Sequence, residues 1–282
     1  MKTSFKISML MTCLLFIINC SGGGMEESKI EYKEINSIPM EEWDQLGQKK
    51  IFFGHQSVGN NILEGIKGIM KENPEIELNI KEISDGSKLP EGVFAHTHIG
   101  KNEDPGAKID AFVHFMENGL GNNADLAFFK FCFVDIDSKT DIQKLFDDYK
   151  SNMAQLKKKY PETTIIHFTV PLLRKNEPSF KQWIKGVFGK TGGFFANEHN
   201  VQRNKFNELI VKEYSGREPI FDLAGIESIY PDGSRETFTE EGETYHSLVP
   251  EYTKDGGHLN ELGRKRGAEQ LLLFLANLKN QN

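Results

Sequence analysis

The chain has 282 residues, 38% hydrophobic and 27% charged, an ordinary globular composition with length for one large domain or two small ones. A net charge of −7, with the lysines dispersed rather than striped, argues against a nucleic-acid partner. Of the three cysteines, Cys13 and Cys20 fall near the N-terminus, so Cys132 stands alone in the remainder and an internal disulfide framework is excluded.

The chain opens with a short basic region, Met1-Lys2 to Lys6, then a mostly apolar stretch from Ile7 to Ile18, too short to cross a membrane as a helix. Cys20 stands where that stretch ends, followed by serine and three glycines. The ending Ile17-Ile18-Asn19-Cys20 resembles a bacterial lipoprotein lipobox, with Asn19 in place of the usual small residue. The resemblance implies a signal peptide over residues 1–19 and a lipid-bearing Cys20. Residues 20–40 then form a flexible tether and residues 41–282 the folded domain. Several acyl chains on one cysteine hold a protein stably on a membrane surface. Serine rather than aspartate after Cys20 implies, by analogy with lipoproteins, the outer membrane in a cell that has one. Plain secretion with cleavage nearby is the weaker alternative.

Residues 40–46 suggest a helical turn leading into the first strand. Ile51-Phe52-Phe53 is a short apolar run ending at Gly54, and Ile62, Leu63, Ile66, Ile69 and Met70 then recur with helical period. Strand, tight turn and helix follow, and the turn places Ser57 beyond the carboxyl end of the first strand, beside a helix N-terminus. Open α/β sheets bind ligands there, and the helix end favours a developing oxyanion. The plainer reading makes Ser57 an N-cap. Asn73-Pro74 ends the helix. Residues 76–83 alternate apolar and charged, as in a half-exposed strand near a sheet edge. Residues 84–106, rich in Gly, Pro, Asp and His, read as one long irregular loop, and loops of that length are often functional.

A short helix is expected over residues 109–116. The most apolar strand, expected to be central, spans residues 124–135, within which Cys132 reads as an inert core thiol. Residues 140–160 form a helix with Leu145, Phe146, Tyr149, Met153 and Leu156 on one face. Residues 163–171 read as the fourth strand and 174–200 as an extended insertion carrying Trp183, Phe188, Phe194 and Phe195, a lid or sugar platform or simply packed aromatics. A helix over 202–214, a fifth strand over 219–223, an acidic loop over 232–252 and a closing helix over 262–278 complete the chain. Strands alternating with helices predict one parallel sheet covered on both faces, in a single domain.

Asp255-Gly256-Gly257-His258-Leu259-Asn260 precedes the closing helix. A carboxylate three residues before a histidine on a turn can bind Nδ1–H, fix the tautomer and leave Nε2 free to take a serine proton. Alone that pair is more often a surface turn, but with Ser57 after the first strand the pattern becomes specific. At this point the chain resembles the SGNH/GDSL hydrolase superfamily over roughly residues 48–278. Ile51-Phe52-Phe53-Gly54-His55-Gln56-Ser57 looks like the block that carries the nucleophile, and Asp255-Gly256-Gly257-His258-Leu259-Asn260-Glu261-Leu262-Gly263 like the block that completes the triad. Residues 165–171 and 221–224 also look like family elements. The resemblance implies a three-layer α/β/α sandwich with a flavodoxin-like five-stranded parallel sheet, and ester hydrolysis without a cofactor or metal. Ser57 is then the nucleophile, His258 the general base and Asp255 its orienter.

The chain departs from that family in two places. Gly54-His55-Gln56-Ser57-Val58 stands for Gly-Asp-Ser-Leu, and Val134 stands where an asparagine oxyanion donor is expected. Loss of one such donor costs about 10²–10³ in rate. The loop 96–105 supplies replacements: Gly100 as the backbone donor, Asn102 as the amide. The Ser57 N–H is a further donor by analogy. His55 is expected to shape the turn or touch substrate. His96 and His98 point the same way on an extended segment and would form half of a metal site, the minority reading. Lys130 is expected to pair with a carboxylate such as Asp125 or Asp135, with contact to a substrate anion the weaker alternative.

The expected function is an envelope-anchored serine esterase on a small-molecule or glycan ester, with carbohydrate deacetylation among the options. An O-acyltransferase, and a non-catalytic glycan-binding lipoprotein on the same fold, are the alternatives.

Overall fold

The computed structural model describes residues 34–86, 88–176 and 196–278. The segment up to residue 33, where a signal and tether with Cys20 are expected, and the insertion aromatics Trp183, Phe188, Phe194 and Phe195 lie outside the described residues. Ile35 is already buried in the core, so the packed chain reaches back before residue 41, into the stretch expected to be tether.

Six parallel strands form the central sheet: β1 (Ile51–His55), β2 (Asn79–Glu82), β3 (Val93–His98), β4 (Leu126–Phe129), β5 (Thr164–Phe168) and β6 (Ile220–Phe221). Their order is β2-β3-β1-β4-β5-β6, one strand more than the five expected. The added strand is β3, inside the stretch read as an irregular loop. Its sequence, Val93-Phe94-Ala95-His96-Thr97-His98, turns polar at the carboxyl end and hides the apolar run of a buried strand. β2 is the exposed edge, as its alternation predicted. A separate antiparallel hairpin, β7 (Thr237–Glu240) and β8 (Glu243–His246), lies within the segment expected to be acidic loop.

Helices cover both faces. α1 (Met40–Gln48), α2 (Ser57–Glu72), the short α6 (Leu223–Glu227) and α7 (Glu261–Ala276) pack on one face, where Leu46, Ile62, Ile66, Leu271 and Leu275 meet Phe53, Phe128 and Phe168. α3 (Pro105–Glu117), α4 (Ile142–Lys159) and α5 (Asn197–Tyr214) cover the other, where Phe112, Phe146 and Phe206 meet Phe52, Phe129 and Ile165. The strand residues alternate between the two clusters with period two. This is the three-layer α/β/α arrangement. No helix among the described residues is long and apolar enough to cross a membrane.

β1 is central and α2 starts two residues after its last residue, so Ser57 emerges at the carboxyl edge of the sheet. Ile99 N–H donates to His55 O at 3.1 Å and Lys130 N–H to Gly54 O at 3.1 Å, which extends the pairing on both sides of β1 to its end. The neighbouring loops, 99–104 and 130–135, are thereby brought beside Ser57.

Candidate active site

Ser57 occupies the first turn of α2. The N-cap is Gln56, whose side chain makes no capping bond. The Ser57 hydroxyl does not cap either: Oγ lies 2.9 Å from His258 Nε2. His258 Nδ1 lies 2.7 Å from Asp255 Oδ2. With Nδ1–H donating to the carboxylate, Nε2 is the bare nitrogen and accepts from the serine hydroxyl. Residues 201 positions apart in sequence thus form one hydrogen-bonded line.

The turn that carries Asp255 and His258 is internally bonded. Asp255 Oδ1 accepts from Gly257 N at 3.0 Å, His258 N at 2.8 Å and Thr253 Oγ1 at 3.2 Å, and Thr253 Oγ1 accepts from Gly256 N at 2.9 Å. Half-burial alone would raise the Asp255 pKa, but the bonds from the His258 ring and the two backbone N–H groups outweigh it and hold the carboxyl at about 2. Asn61 on α2 accepts Leu259 N–H at 3.0 Å through its buried Oδ1, tying the helix that carries Ser57 to the residue after His258. Phe133 packs edge-on against the His258 ring, centroids 5.4 Å apart. The buried Arg203 donates from Nε to Phe133 O at 2.7 Å and steadies that segment. Beside His258 a cavity of about 390 Å³ opens, lined among others by Lys254, Asn260, Glu261 and Arg264. Thr253, Asn61 and Arg203 carried no motif. Their roles depend on partners distant in sequence.

His55 does not face this cavity. It is fully buried, so of its two expected roles, shaping the turn or touching substrate, the geometry favours the first. Its Nδ1–H donates to Gln56 O at 2.9 Å, and its Nε2 lies 3.1 Å from His96 Nδ1. The first helical turn presses on it: a Cβ at Gly59 would collide with the His55 side chain. Burial drives the His55 pKa down to about 3 against the Gln56 bond, with Lys130, His96 and His98 lowering it further, so the ring stays neutral and shapes the turn. His96 and His98 share a face, and His98 Nε2 lies 3.0 Å from Asn60 Nδ2 and 3.2 Å from its Oδ1. No group of three or more His, Cys, Asp or Glu among the described residues is arranged to hold a metal ion.

Gly100 follows β3 with φ +55°, a conformation that favours glycine, and Gln56 Nε2 donates to Ile99 O at 2.9 Å and more weakly to Gly100 O at 3.4 Å. Asn102 is exposed, with Oδ1 accepting from Lys108 Nζ at 3.0 Å. Val134 is half-buried against apolar neighbours and offers no donor. Lys130 is buried, but its Nζ donates to Phe131 O at 3.2 Å. The expected carboxylates are taken elsewhere: Asp135 by Lys108 Nζ at 2.6 Å, Asp125 by the Lys50 backbone N–H at 2.6 Å.

No family model and no curated protein matches the chain. Among solved structures, it is similar to a Streptococcus pneumonia protein provisionally described as a platelet activating factor, at 14% identity over 84% of this chain and 90% of that one, TM-score 0.49. It is also similar to a GDSL-like lipase from Bacteroides thetaiotaomicron, at 12% identity over 81% and 86%, TM-score 0.43. A third is the periplasmic domain of a lipopolysaccharide acetyltransferase from Salmonella ser. Paratyphi A, at 11% identity over 80% and 83%, TM-score 0.42. At such identities the likeness speaks to the fold alone.

Proposed function

We propose that the chain is a serine hydrolase of the SGNH type that cleaves carboxylic esters of polar alcohols. The observation that carries this reading is the unbroken line Ser57 Oγ, His258 Nε2, His258 Nδ1, Asp255 Oδ2, at 2.9 and 2.7 Å, at the carboxyl edge of a parallel sheet. Three side chains on two distant segments do not acquire that order for packing, because each is part-exposed and none fills the core.

In this mechanism Ser57 Oγ attacks the ester carbonyl carbon as His258 Nε2 takes its proton. The tetrahedral oxyanion develops near the N-terminus of α2, where the Ser57 and Gly100 N–H groups are the backbone donors. Collapse breaks the bond to the alcohol, His258 returns its proton to the leaving oxygen, and an acyl-Ser57 remains. Water, deprotonated by His258, then releases the acid and regenerates the serine. Asp255 stays ionised throughout, holding the tautomer and stabilising the imidazolium. Lys254, Asn260, Glu261 and Arg264 around the cavity beside His258 are the groups on which a preference for a hydrophilic leaving group, a glycan ester among them, rests. Anchoring in the cell envelope through Cys20 rests on the N-terminal sequence.

The competing reading, a non-catalytic glycan-binding protein on the same fold, draws on Val134 standing where a side-chain donor would serve the oxyanion. A fluorophosphonate probe followed by peptide mass spectrometry separates the two. Covalent labelling at Ser57 that disappears in His258→Ala is expected, with Ser57→Ala abolishing ester turnover while circular dichroism stays unchanged. A folded protein that takes no label defeats the hydrolase reading.

A further inference from the structure

We propose that the buried Lys108–Asp135 ion pair is a positioning device that fixes the Asn102 carboxamide as a side-chain oxyanion donor, a role that rests on the serine-hydrolase reading. Lys108 lies on α3 with none of its side chain exposed, and neither is any of Asp135's. Lys108 Nζ donates to Asp135 Oδ2 at 2.6 Å and to Asn102 Oδ1 at 3.0 Å. The Asp135 carboxylate is itself saturated, accepting Cys132 N–H at 2.6 Å on Oδ2 and Glu103 N–H at 3.0 Å on Oδ1. A buried ion pair is often no more stabilising than an apolar replacement. Its presence here points to a task that packing does not supply.

That task is legible in what the pair holds. The short turn of residues 101–104 is closed by the Lys101–Asp104 bridge, with Glu103 at φ 66°. Asp104 then caps α3, accepting Ala107 N–H at 3.0 Å. One end of the loop is clamped by Gln56, the residue before Ser57, and the other by Asp135, the residue after Val134. Asn102 therefore sits on a rigid turn strung between the nucleophile's strand end and the position that lacks a donor. Its oxygen is occupied by an ammonium, so the NH₂ edge is the one left to act, and Nδ2 makes no hydrogen bond among the described residues. A cation on the amide oxygen also draws electron density from the nitrogen and strengthens its N–H as a donor.

The isosteric Asn102→Asp separates donor from cap, since it keeps an oxygen for Lys108 and removes the N–H. With p-nitrophenyl acetate, kcat is expected to fall about 10²-fold with KM within about twofold, and the melting temperature is expected to hold. Lys108→Met should lower kcat in the same direction, and the double variant should be no worse than Asn102→Asp alone, the signature of residues acting as one unit. If Lys108→Met does not fold, Asn102→Asp decides the matter by itself. Wild-type kcat in Asn102→Asp overturns the proposal and leaves the hydrolase reading standing. A wild type that neither turns over the ester nor takes fluorophosphonate at Ser57 overturns the hydrolase reading, and this one with it.

Discussion

The carboxylate of Asp255 accepts four hydrogen bonds, one from the His258 ring and three from Gly257 N, His258 N and the Thr253 hydroxyl. The three on Oδ1 fix the carboxylate plane, so Oδ2 meets His258 Nδ1 with little freedom. Asp255→Asn keeps the acceptor on that side and puts an N–H₂ opposite Nδ1. The imidazole must then accept at Nδ1 and carry its proton on Nε2, where it cannot take one from Ser57. The expected outcome is a fall in kcat of about 10⁴-fold for aryl acetate hydrolysis with circular dichroism unchanged. A fall below about tenfold would mean that another group sets the tautomer. The motif Asp255–His258 was readable because its two members are three residues apart and their chemistry is local. Thr253, Asn61 and Lys108 were not, because a threonine, asparagine or lysine acquires meaning only from the atom it meets. Asn61 meets its partner 198 residues away. His55 left two roles open for the same reason: two residues before Ser57 it could shape the turn or touch substrate, and only the β1–β3 register, which buries it against His96 and the first turn of α2, favours the turn.

The elements carry the site through one helix pair. Ser57 opens α2 and His258 lies three residues before α7, so their separation follows the packing of those helices. Gly65 is the point of closest approach: a Cβ there would collide with Arg264 O and stand 2.7 Å from Ala268 Cβ. Gly68 on the same helix faces open space. Two alanine substitutions thus carry the same gain in helix propensity, about 0.8–1 kcal/mol, and opposite packing. Gly68→Ala should raise stability by that amount and leave kcat alone. Gly65→Ala meets overpacking of about 1–3 kcal/mol against a backbone carbonyl that cannot rotate away. It should lower the melting temperature and, by moving Ser57 relative to His258, lower kcat by about tenfold or more. If both variants behave alike, the helix pair does not set the site geometry. Helices of this kind were legible from the 3.6-residue recurrence of Ile62, Ile66 and Ile69. β3 and the β7–β8 hairpin were not: β3 ends in polar His96, Thr97 and His98, and the hairpin's Glu240 and Glu243 carry the charge expected of a loop.

At the scale of the whole molecule, the carboxyl end of the sheet is closed by a buried group with no part in the triad. Glu227 on α6 is 2% exposed; Oε2 accepts Leu172 N–H at 2.9 Å, and Oε1 has no hydrogen-bond partner among the described residues. Burial pushes its pKa up to about 8, against the pull of the Leu172 N–H and of Lys130, itself buried and lowered by desolvation. At neutral pH the folded protein therefore holds Glu227 protonated, whereas the unfolded chain ionises it near 4.5. A carboxyl raised on folding contributes stability below its unfolded pKa and loses it as pH rises through the folded one. Relative to Glu227→Gln, which cannot titrate, the wild type should thus lose about 1.4 kcal/mol per pH unit between 4.5 and 8 and hold a constant difference outside that window. Urea unfolding of both proteins at several pH values measures the slope, and subtraction removes His55 and the other histidines, which titrate alike in both. A difference independent of pH across that window would mean that Glu227 is ionised in the folded state despite its burial.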